Sequence, residues 1–157
     1  MAKAKATEKT NFLETQADKI RAELKVSDQN AFFKAAVEAG YLTARADGNV
    51  DGEEREAIVR AVELLSQGAV IEWEVETLLD TCSAAFDKDG ADKRAEHVGA
   101  ALLALGASEP GLFVGAIVAR ATGGVDKTET GALKTVGKAA GLSADKIKAI
   151  TKRAASL

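Results

Sequence analysis

Apolar residues recur along this chain at three- and four-residue spacing and almost nowhere alternate, so the pattern predicts helices and no strands. Leu13, Ala17, Ile20 and Leu24 mark the inner stripe of a first amphipathic helix. Ser27 stands where a cap would open a second, which carries Phe32, Phe33, Ala36, Val37, Tyr41 and Leu42 and should stop at Gly48. Asp51 opens a third helix, with Ile58, Ala61, Val62 and Leu65 inward and Gly68 closing it. A fourth runs from about Ile71 to Phe86 on a stripe of Ile71, Val75, Leu78, Leu79, Cys82 and Phe86. Asp87 to Gly90 read as a loop, and a fifth helix reaches Gly106. Ser108 caps a sixth, with Pro110 in its first turn, where a missing N–H does no harm. Gly111 to Ala119 is apolar on every side, which predicts a helix in the middle of the domain. Asp126 opens a seventh helix ending at Gly141, and Ser143 caps a Lys-rich eighth. The expected fold is all-α, a single bundle of about seven to eight helices.

A chain of 157 residues suits one domain with one core. Hydrophobic residues make up 46% but aromatic residues only 4%, so Ala and Leu carry the apolar volume, as close helix packing favours. Residues 1–10 are Lys/Ala/Thr-rich with no apolar run, a flexible tail by composition, which leaves 11–157 as the domain. The longest apolar stretches, Val98 to Ala107 and Gly111 to Ala119, are about half the roughly 20 residues needed to span a bilayer. Cys82 is the single cysteine, so no intramolecular disulfide forms, and a reducing, cytoplasmic setting is the simpler reading.

Charge is segregated, although the net value is only −3. Residues 47–96 hold 14 Asp/Glu against 5 Lys/Arg, whereas residues 127–157 hold 7 Lys/Arg against 2 Asp/Glu. This makes either an ordinary solvated surface or an acidic face and a basic end. The basic end lacks interleaved aromatics, so no specific nucleic-acid partner is expected.

The most specific feature is a repeat. Ala44-Arg45-Ala46-Asp47-Gly48-Asn49-Val50-Asp51-Gly52-Glu53-Glu54 matches Ala119-Arg120-Ala121-Thr122-Gly123-Gly124-Val125-Asp126-Lys127-Thr128-Glu129, 75 residues on, with seven identities in eleven positions. Each copy sits where one apolar helix ends and the next begins. Two related halves packed about a pseudo-two-fold axis are expected, since one repeat is too few for a solenoid.

On Asp47-Gly48-x-Val50-x-x-x-Glu54 and its second copy, the chain resembles the tellurite-resistance TerB family and, more distantly, the N-terminal domain of DjlA-type co-chaperones. The resemblance covers roughly residues 30 to 142. It implies an all-helical fold with both acidic motifs on one face. It also implies a non-enzymatic part in a stress-response or tellurite-resistance assembly, with metal sensing and protein partners near the membrane. The second copy departs at Thr122 and Gly124, which removes two oxygen ligands.

Two readings of the motif stay open. Asp51-x-x-Glu54 and Asp126-x-x-Glu129 are shaped like capping boxes at the positive end of a helix dipole. Alternatively, Asp47, Asp51, Glu54, Asp126 and Glu129 converge on a divalent cation such as calcium. Asp47-x-Asn49-x-Asp51-Gly52 has the first half of an EF-hand loop, but Ile58 stands where the closing Glu belongs. Glu72, Glu76 and Asp80 line up at four-residue spacing, either solvated or facing a basic partner, with Trp73 beside them as a partner anchor or a lid on the core. Asp87-Lys88-Asp89-Gly90 is a turn with no closing Glu, and Cys82, on the apolar stripe, reads as a small hydrophobe although His97 lies on the next helix. No phosphate loop, paired-Cys motif, HExxH or nucleophile elbow is present.

Overall fold

The computed structural model describes residues 2–24, 28–46, 48–123 and 131–157, with side chains from residue 10 onward. Among these residues the chain is all-α, with no strand: α1 (Ala2–Glu23), α2 (Gln29–Arg45), α3 (Gly52–Ser66), α4 (Glu72–Asp89), α5 (Ala91–Ala104), α6 (Ser108–Gly123), α7 (Gly131–Ala139) and α8 (Ala144–Ala155). None is long and apolar enough to cross a membrane.

The all-round apolar α6 takes the middle of the bundle, every residue from Gly111 to Ala119 being buried. It lies against α2, and the remaining helices are arranged around this pair with a matching pattern. As α1 packs along α3, so α5 packs along α7; as α3 reaches α6, so α7 reaches α2; and α4 and α8 close the two halves alike. This is the pseudo-two-fold relation the repeat implies. The crossing is close because Gly40 and Gly115, themselves 75 apart, meet there. A Cβ on Gly40 would lie 2.5 Å from Val118 Cγ1, and one on Gly115 would lie 2.8 Å from the Ala39 Cβ.

Several boundaries differ from the sequence expectation, each for a local reason. The cap of α2 is Asp28, whose carboxylate accepts from the Ala31 N–H at 3.0 Å; Ser27 lies outside the described residues. Helix α2 ends at Arg45, ahead of Gly48, which takes φ 128°. Residues 87–89 are not a loop: α4 continues to Asp89, and only Gly90, at φ 86°, separates it from α5. Ser108 is the first residue of α6, not its cap, and its hydroxyl donates to the Ala140 carbonyl at 2.7 Å. Helix α1 extends back to Ala2, across residues read as a tail, and Thr10 is already fully buried. Ser143 caps α8 as expected, accepting from the Lys146 N–H at 3.2 Å.

Candidate docking face and helix junctions

At the α2–α3 junction the backbone passes through Gly48 and reaches Asp51 in an extended conformation. There the Asp51 carboxylate accepts from the Glu54 N–H at 2.7 Å, and the Glu54 carboxylate accepts from the Asp51 N–H at 3.3 Å. The capping box is therefore formed, and it satisfies two orphan donors at the start of α3. Of the five carboxylates read as cation ligands, Asp51 and Glu54 are used in this way. Asp47, Asp126 and Glu129 lie outside the described residues. Among the described residues, no group of three or more His, Cys, Asp and Glu is placed to hold a metal ion.

The junction's arginines carry a contact that the sequence did not reveal. The Arg45 guanidinium lies 4.4 Å over the Phe86 ring, and the Arg120 guanidinium lies 3.8 Å over the Phe12 ring. Arg45 and Arg120 are repeat equivalents, and Phe12 and Phe86 are themselves 74 apart. The identical Ala-Arg-Ala thus sets an arginine over a phenylalanine in each half, the ring coming from α1 for Arg120 and from α4 for Arg45. Arg120 also donates to the main-chain oxygens of Leu157 at 2.6 Å and Ala154 at 3.2 Å, and burial lowers its pKa.

On α4, Glu76 and Asp80 are tied to an arginine of the same chain, although the Asp80 side chain stays 74% exposed. Arg55 reaches across from α3 and donates to Asp80 at 2.9 Å, to the Glu76 carboxylate at 3.2 Å and to the Glu76 carbonyl at 3.2 Å. Burial draws the Arg55 pKa down, but the bonds to Asp80 and Glu76 outweigh it and leave it raised. Two of the three acids in the stripe are thereby tied to α3. Glu72 stands outside this clamp, exposed at the first turn of α4. Trp73 beside it is 65% exposed and so is no lid on the core, and Ile71 is 43% exposed.

Next to this turn, α2, α3 and α4 leave a cleft lined by Phe33, Val37, Val62 and Leu78, with Lys34 and Glu74 as its charged members. In the other half the repeat equivalent of Val62 is Gly137, where a Cβ would lie 2.5 Å from Ile147 Cγ1, so α7 and α8 approach closely there.

The two halves are also joined through charge. Glu38 on α2, only 8% exposed, accepts from Arg94 on α5 through both oxygens, at 2.8 and 2.9 Å. Nothing local in the sequence marks this pair, which is 56 residues apart. The Glu38 bonds raise the Arg94 pKa. Cys82 is 1% exposed, and burial, aided by the Glu38 charge, pushes its thiol up to about 12, so it is not a nucleophile at neutral pH. His97 lies on the exposed side of α5.

No protein-family model, curated protein or solved structure matches the chain.

Proposed function

We propose that this chain is a non-enzymatic, TerB-like interaction module of a cytoplasmic stress-response assembly, and that it docks a protein partner through the first turns of α4. One observation carries the reading: the chain's single tryptophan, Trp73, is 65% exposed on a helix anchored to α3 by Arg55. An indole left in water on a rigid support forgoes its own burial, yet it loses little side-chain entropy when a partner covers it. Ile71 extends the apolar surface, the neighbouring cleft can receive a side chain, and Glu72 favours a cationic partner. The TerB resemblance adds the stress-response setting and partners near the membrane. The alternative, a calcium-type sensor built from the paired junctions, draws among the described residues only on Asp51 and Glu54, both engaged in the α3 cap.

A photo-crosslinking residue placed at Thr77, one turn from Trp73, tests the docking face in the native host. The expected result is a discrete adduct that disappears when Trp73→Ala is added, and that never forms from Ala100 on the exposed side of α5. Trp73→Ala should change stability by no more than about 0.5 kcal/mol, because the side chain covers no core. An adduct indifferent to Trp73, or no adduct at all, overturns the reading.

A further inference from the structure

The structure assigns a second copy of this chain as the occupant of the α4 face, through α8. This inference rests on reading α4 as a docking face and names what covers it. Aligned on their N-caps, Ile71 and Ser143, α4 and α8 are 72 residues apart. In that register the buried positions coincide: Val75, Leu79 and Cys82 of α4 match Ile147, Thr151 and Ala154 of α8. The outward positions coincide too, but with opposite charge. Glu74, Glu76 and Asp80 correspond to Lys146, Lys148 and Lys152, and the small residue Thr77 corresponds to Ala149. Two helices in equivalent places in the fold therefore present complementary surfaces.

Within one chain these surfaces do not meet, because α4 and α8 make no contact with each other among the described residues. Between two chains they fit in an antiparallel crossing centred on Thr77 against Ala149. That register sets Glu74 opposite Lys152 and Asp80 opposite Lys146. Small residues at the centre let the backbones approach, and the flanking charges fix the direction. The same register brings Trp73 alongside Arg153 of the second copy, which is held in place by Glu23 at 2.6 Å and by the Phe113 ring at 4.4 Å and keeps its side chain 53% exposed for the indole to cover. Each copy supplies one acidic α4 and one basic α8, so the contact is head-to-tail and propagates from copy to copy. A helix pair of this length buries little area, which places the association among weak, salt-sensitive contacts.

Sedimentation of the full chain from about 10 µM to about 1 mM, at about 50 mM and about 500 mM salt, tests this. The expected result is an average mass that rises with concentration at low salt and returns to the monomer at high salt. Lys148→Glu/Lys152→Glu should weaken association by about tenfold or more. Glu76→Gln/Asp80→Asn, which retains acceptors for Arg55, should act in the same direction and guards against loss of the fold. Trp73 emission should shift to the blue as mass increases. A monomer throughout the low-salt range, or association indifferent to both variants, overturns the proposal. If a monomeric chain still gives the Trp73-dependent adduct at Thr77, the occupant is another protein and α4 remains a docking face; if the adduct is also missing, both readings fall.

Discussion

Gly40 and Gly115 lie against each other where α2 crosses α6. The Gly40 Cβ position is 3.0 Å from the Gly115 carbonyl oxygen, and the Gly115 Cβ position is 3.7 Å from the Gly40 nitrogen. Each glycine clears space for the helix that carries the other, so the two halves meet closely at this crossing.

Gly115→Ala should therefore cost about 1–3 kcal/mol in urea unfolding, as overpacking of a rigid crossing does. Gly52→Ala is the matched control: a Cβ there meets nothing within 4 Å, at the first position of α3. Removing chain freedom at that open site should stabilise by up to about 1 kcal/mol. Equal effects at the two positions would mean that the crossing is looser than described.

The two arginine clamps invite a comparison of double-mutant cycles. Arg120→Met with Phe12→Leu should show a coupling of about 1–2 kcal/mol. Arg45→Met with Phe86→Leu should show less, about 0.5–1 kcal/mol, because that stack is longer and Arg45 also pairs with the exposed Asp87 at 3.7 Å. Additive single-mutant effects at Arg120 and Phe12 would remove the clamp as the reason for the repeated Ala-Arg-Ala.

At the α2–α3 junction, Asp51→Ala should lose about 1 kcal/mol, since it leaves a helix N–H without its cap. Glu54→Gln should be nearly silent, because an amide oxygen still accepts from the Asp51 N–H. A calcium titration of the wild type should give neither saturable heat nor a shift in Tm. Saturable heat that Asp51→Asn abolishes would favour the cation-sensor alternative instead.

Alkaline pH tests the setting of Cys82. Its folded pKa of about 12 lies above the ordinary thiol value of 9.0, so between these limits the unfolded chain releases a proton that the folded chain retains. Stability must then fall as pH rises above 9, by at most about 1.4 kcal/mol per pH unit from this group. Below pH 9 the contribution is constant. Cys82→Ala should flatten that part of the profile in urea melts taken from pH 8 to 11, and an unchanged slope would show the thiol to be accessible to solvent.

The sequence alone determined which segments are helices and how they are related. Apolar spacing located α2, α3, α6 and α8, and seven identities at a 75-residue offset announced two like halves, because periodicity and caps are local properties written within a few residues. Local signals misplaced the end of α4, where Asp87-Lys88-Asp89 resembles a turn yet continues the helix until Gly90 takes a positive φ. Only the tertiary structure decided what the polar residues do. Arg55 belongs to Glu76 and Asp80, and Arg94 to Glu38. Those outcomes depend on which side chains meet between helices, 21 to 56 residues apart along the chain. No window along the chain carries that information, because packing brings the partners together only once the halves have folded onto each other.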